Sequence, residues 1–159
     1  MKKNILGVFV SLLVVVMLAL SMSTAYAKKP YEVSGTIDSS SAPTSPPKLA
    51  GKNTFMYFAT TSTWDGGISG DTVGTQTWIL HAGSHLNIPD VELFFEEATV
   101  DGKTGTLTIR MVLVSSIQNP DFPTHGNWRI IDATGGLEGL RGQGKWGNGW
   151  YEGTIHFKP

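Results

Sequence analysis

Residues 132–146, DATGGLEGLRGQGKW, place five glycines in fifteen positions between two runs of strand-forming sequence. A glycine loop that cradles phosphate has a strand before it and a helix after it, so that the helix N-terminus meets the anion. Here Gly139, Gly142, Gly144 and Gly147 interrupt any helical run, and strand sequence follows at once. A phosphate cradle is not expected. The segment reads instead as a short turn around Leu137 to Leu140, then a glycine-spaced strand from Arg141 to Trp146. Glycine inside a strand marks sharp coiling or close approach of a neighbouring backbone, as at a barrel corner. Leu137 and Leu140 would close one end of such a barrel.

Period-two alternation recurs on both sides of this segment. It predicts strands over YEVSGTI (31–37), TFMYFATTSTW (54–64), SGDTVGTQTWILHAG (69–83), VELFFEEATV (91–100), TLTIRMVLVSSI (106–117), NWRIIDATG (127–135) and GWYEGTIHF (149–157). The DGKTG between 101 and 105 is a hairpin turn signal, and Gly74 inside its strand suggests a bulge or bend. DSSSAPTSPPKLAG (38–51), with Pro43, Pro46 and Pro47, reads as a long loop that cannot enter a sheet interior. HAGSHLNIP (81–89) and NPDFPTHG (119–126) also read as loops, with His125 a turn residue. With the glycine-spaced strand this makes eight strands and no sustained helical period. The expected fold is all-β: a single closed antiparallel eight-stranded barrel, which leaves no open edge. A β-sandwich is the alternative.

The first 27 residues stand apart. Lys2 and Lys3 precede an apolar run from Ile5 to Leu20, and Ala25-Tyr26-Ala27 supplies small residues where a signal peptidase reads. The run is short for a bilayer span of roughly 20 residues. The organisation expected is a signal peptide over 1–27, a first strand and Pro/Ser-rich loop over 28–53, and the rest of one barrel domain over 54–159. The protein is then secreted or extracytoplasmic, with no stable membrane anchor after cleavage behind Ala27. The chain has no cysteine, which excludes a lipid-bearing cysteine, disulfides and thiol chemistry. Without Lys2 and Lys3 the 12 basic residues become ten against 13 acidic ones, a charge near −3. Nothing in that balance points to nucleic acid.

ATGGLEGLRGQGKW (133–146) followed by YEGTIHF (151–157) resembles the C-terminal signature of small bacterial and archaeal barrels related to allene oxide cyclase. The nearest group in kind is a domain family of unknown function, and dirigent proteins carry a looser version. FFEEATVDGKTGTLTI (94–109) and SGDTVG (69–74) extend the resemblance over most of the mature chain. The resemblance implies an allene oxide cyclase-like barrel. The plant cyclases and dirigent proteins act on lipid peroxide products and phenoxy radicals. No working residue of theirs has a match here, so none is carried over.

Alternation also sorts residues into faces. Leu107, Ile109, Met111 and Leu113 form one apolar face, which sends Arg110 to the other with Thr106 and Thr108. Tyr151, Ile155 and Phe157 share a core face, opposite Glu152, Thr154 and His156. Strict alternation sets Glu97 beside Val91, Leu93 and Phe95. A carboxylate in an apolar lumen would be an acid, a base or a polar anchor, so Glu97 and Arg110 are the candidate catalytic residues; the alternative sets both glutamates, 96 and 97, at a solvated mouth. Tyr57, Trp78, Glu97, Trp128 and Tyr151 are the candidate ligand-binding residues, because aromatic side chains line pockets for planar or apolar ligands. They fill a small barrel equally well. Trp146 and Trp150 flank a Gly-Asn-Gly turn and are expected near a rim. His81 and His85, with Asp90 beyond, raise the question of a metal, but on a loop their spacing says nothing of geometry, and a zinc site wants three or four ligands; neither metal nor cofactor is expected. Three functions remain open: a barrel binding a small hydrophobic or aromatic ligand without catalysis, a cyclase or isomerase steering a reactive substrate by shape, and a structural barrel with a filled lumen, a homo-oligomer as related barrels are.

Overall fold

The computed structural model describes residues 29–82, 85–116 and 125–158, with the backbone alone at 85 and 114–116. The leader and most of the 119–126 segment lie outside the described residues. The elements are β1 (Tyr31–Pro43), β2 (Lys48–Ala50), β3 (Asn53–Gly66), β4 (Gly70–His81), β5 (His85–Val100), β6 (Lys103–Ser116), β7 (His125–Ala133), β8 (Leu140–Gly147) and β9 (Trp150–Phe157). A single 3-10 turn, Gly135–Leu137, joins β7 to β8. Among the described residues all strand pairings are antiparallel, and the order β1-β9-β8-β7-β6-β5-β4-β3 closes through an additional β1–β3 pairing. The expected eight-stranded barrel is present, with β2 as one extra strand on β3.

Closure rests on β1, which serves two partners. Its first half pairs with β9, from Tyr31↔Ile155 to Thr36↔Trp150. From Gly35 to Pro43 it pairs with β3, ending at Pro43↔Phe58. A row of paired residues leaving Val33 passes Gly153, Gly144, Trp128, Met111, Val91, Gln76 and Phe58 and re-enters β1 at Pro43, ten residues further on. That stagger is what tilted strands need in order to close.

The Pro/Ser-rich segment is not a loop through 38–43: Ser39, Ser40 and Ser41 pair with Ser62, Thr61 and Thr60. An exposed strand tolerates serine, and Pro43 ends it where no further donor is required. His85–Ile88 belong to β5 and not to a loop, with His85 paired to His81 and Leu86 to Leu80. His125 opens β7, opposite Val114 and Gly147, instead of ending a turn. Gly74 is not a bulge, since the register of β4 shifts between Thr77 and Ile79. A Cβ on Gly74 would lie 2.0 Å from the Glu92 carbonyl oxygen, so close approach is its reason. The DGKTG hairpin forms as expected, with Asp101 (φ 53°) and Gly102 (φ 71°) both left-handed, the signature of a type I′ turn.

The core runs along the inward face. Leu107, Ile109, Met111 and Leu113 are buried, as are Tyr151, Ile155 and Phe157. Leu137 and Leu140 are fully enclosed. Trp64 meets Phe95 edge-on at 5.6 Å and Tyr151 at 4.7 Å, and Trp128 meets Tyr151 edge-on at 6.4 Å. Each such pair adds about 0.5–1.5 kcal/mol beyond area burial. One half of the lumen is therefore solid.

Candidate functional site

The inward glycines of β8 and β9 explain how that half is filled. A Cβ on Gly144 would stand 2.7 Å from the Trp128 Nε1, and one on Gly153 2.5 Å from the Trp128 ring. The indole occupies the room that two side chains would take, and its Nε1 donates to the carbonyls of Lys145 (3.1 Å) and Glu152 (3.0 Å). Tyr151 lies in the same way over Gly35, whose Cβ would fall 2.6 Å from the ring. Trp128 and Tyr151 thus meet in the lumen, each about 1% exposed, as core.

The other half is different in chemistry. Counting back from the buried Trp64, the inward positions of β3 are Ser62, Thr60 and Phe58. Thr72 and Gln76 face them from β4, and Ser39 and Ser41 from β1. Thr60, Ser62 and Thr72 are buried, yet Ser41 is exposed and its Oγ reaches Thr60 Oγ1 at 3.0 Å. Solvent therefore meets the inner face at this end. Gln76 Nε2 donates to Ser41 Oγ at 2.6 Å and to Thr60 Oγ1, and Gln76 Oε1 accepts from Trp78 Nε1 at 2.9 Å. Phe58 and Trp78 stack at 4.5 Å with a 40° tilt, both half-buried. Deeper in, Ser62 Oγ and Trp64 Nε1 are buried with no hydrogen-bond partner among the described residues. Each such group costs about 1–3 kcal/mol.

Of the five candidate ligand residues, only Trp78 stands at this mouth. Tyr57 lies on the outer face, half-buried, with Lys48 Nζ 5.6 Å from its ring centre. Glu97 is exposed. The register of β5 shifts between Phe95 and Ala98, and the extra residue of a bulge turns the following side chains over. Strict alternation does not carry across the bulge, so Glu97 faces solvent and not the lumen. Arg110 is on the outer face as expected, and its Nε meets Asp90 at 2.8 Å. Phe58, Thr60, Ser62 and Gln76 were missed. Their signal, small polar residues at the inward positions of a strand ending in Trp64, was present in the alternation.

The outer face carries a groove of about 1140 Å³ across β6, β7, β8, β9 and β1, lined among others by Arg110, Arg129, Gln143, Lys145, Glu152 and Glu32. His81 is held on both ring nitrogens, Nδ1 with Asn53 Oδ1 at 3.1 Å and Nε2 with Asn87 Nδ2 at 2.9 Å. Among the described residues no three His, Asp or Glu side chains gather where a metal ion could sit. Trp150 is exposed and Trp146 half-buried, at the turn between β8 and β9.

The class is a small closed antiparallel barrel of eight strands, packed solid in one half and polar-aromatic at the other. No family model and no curated protein matches the chain. Among solved structures it is similar to the crystal structure of a protein of unknown function from the DUF3224 family of Shewanella oneidensis. The match covers 82% of this chain and 99% of that one, with a TM-score of 0.63 and 16% identity. That likeness speaks for the fold.

Proposed function

We propose that the protein is an exported, non-catalytic barrel that binds a small aromatic or hydrophobic ligand at the mouth formed by β1, β3 and β4. The observation that carries this reading is the pairing of exposed Ser41 with buried Thr60, beside the half-buried Phe58–Trp78 stack. An apolar platform with a few placed polar groups is the usual make-up of a small-molecule site. Gln76 supplies the oriented amide, and Ser62 Oγ and Trp64 Nε1, buried without a hydrogen-bond partner among the described residues, would offer polar contacts to a ligand that reaches inward. The allene oxide cyclase resemblance enters this reading as kinship of barrel and not of chemistry. Glu97, the candidate base, stands outside the lumen.

The test is titration of the purified protein with phenolics, fatty acids and terpenoids, read by tryptophan fluorescence. Saturable quenching is expected for wild type, with Gln76→Leu weakening it at least tenfold and Trp78→Phe removing most of the signal. A flat response from folded protein across the whole panel would move the conclusion to a structural barrel with a filled lumen.

A further inference from the structure

We propose that the outer groove is a second binding site, which takes the oxyanion group, carboxylate or phosphate, of a small molecule between Arg110 and Arg129. The groove begins with missing side chains. Gly142, Gly144 and Gly153 stand at inward positions, and the wall there is drawn in against Trp128, Ile130 and Ile155. A sheet drawn inward on one face is dented on the other, and the groove of about 1140 Å³ lies over this region. It is large enough for a small ligand, for which sites of about 300–1000 Å³ are usual.

The charges along the groove are ordered by strand register. One outward row runs Glu92, Arg110, Arg129, Gln143, Thr154 and Glu32 across β5, β6, β7, β8, β9 and β1. Arg110 and Arg129 are direct cross-strand partners, and like charges so placed are destabilising unless something lies between them. Arg110 uses its Nε on Asp90, which leaves its terminal nitrogens for another acceptor. Arg129 is exposed and makes no hydrogen bond or ion pair among the described residues. Both arginines line the groove, and a guanidinium fork matches the paired oxygens of a carboxylate or phosphate. Gln143 and Asn127 flank Arg129 from the groove wall and Lys145 closes the side. Glu32 stands three strands from Arg129 in this row, roughly 14 Å at the usual strand spacing. Glu152 lies on the same side. The acidic end limits the site to one anionic group and rejects a polyanion.

Thermal unfolding of the purified protein with added inorganic phosphate or benzoate, at ionic strength matched with chloride, tests the site. The expected result is a saturable rise in Tm with at least one of these anions beyond chloride. Phosphate alone would mark a phosphate ligand, and benzoate a carboxylate with an apolar body. Arg129→Gln is expected to weaken the midpoint at least tenfold while its Tm in chloride holds or rises. Gln143→Glu, one strand away, is expected to do the same by adding a negative charge, and Lys158→Gln to leave the response intact. Equal responses to chloride and both anions, or an undiminished response in Arg129→Gln and Gln143→Glu, would overturn the proposal.

Discussion

Tyr151 shows how much one side chain can do in a chain without disulfides. Its hydroxyl accepts from the Ile68 N–H at 2.7 Å and donates to the Ile68 carbonyl at 2.8 Å. It thereby ties β9 to the turn between β3 and β4. Burial raises its pKa above the ordinary 10.0, the Ile68 hydrogen bond pulls it partly back, and the charge of Asp65 raises it again. The folded state therefore keeps the phenol proton at pH values where the unfolded chain releases it. This contribution is complete below about pH 10 and is lost as pH rises through 10 toward the folded value. Tyr151→Phe is expected to cost about 1–3 kcal/mol at neutral pH, because both backbone groups of Ile68 lose their partner. In denaturant melts the gap between wild type and Tyr151→Phe should narrow above pH 10; a constant gap would refute the burial account. Ser62 makes the opposite case. Its hydroxyl is buried without a partner among the described residues, so Ser62→Ala is expected to leave stability unchanged or raised while weakening ligand binding. A clear loss of stability would mean that the hydroxyl is satisfied in the folded protein.

Strands β8 and β9 show why the glycine segment has its composition. Gly144 and Gly153 are cross-strand partners, and the Trp128 ring rests on both. A Cβ on Gly144 would also lie 1.9 Å from the Glu152 carbonyl oxygen, so shrinking the tryptophan does not make room. Gly144→Ala is expected to destabilise by about 3 kcal/mol, the upper part of the range for overpacking. Trp128→Leu in the same chain should not restore the loss, as equilibrium unfolding of the double variant would show. Local alternation read most of these strands correctly, because the side-chain period of two is a property of the extended backbone. It failed where the pairing, and not the chain, sets the phase. Glu97 follows a register shift that lies in the pairing of β5 with its neighbours. The serines of 38–43 become a strand only because β3 offers them a partner.

The whole barrel has a division that its composition hides. Aromatic residues close the half around Trp64, Phe95, Trp128 and Tyr151, and hydroxyls with one amide line the half that opens at Ser41. With the leader removed behind Ala27, as proposed, exported protein should begin at Lys28, and its intact mass would show this. A mass retaining residues 1–27 would put the chain on the membrane instead.

Alternating apolar faces, the Asp-Gly turn at 101–102, the glycine-spaced strand and the lack of any helical period were enough to define an all-β barrel of eight strands. These are local properties of the chain, and local sequence carries them. Which wall is packed and which is open, where Glu97 points, and that Arg110 and Arg129 share a groove all depend on pairing and on closure. Closure joins Tyr31 to Ile155 and Pro43 to Phe58 through a single strand. Contacts between residues so far apart are decided by the summed fit of all eight strands, which no short window of sequence contains.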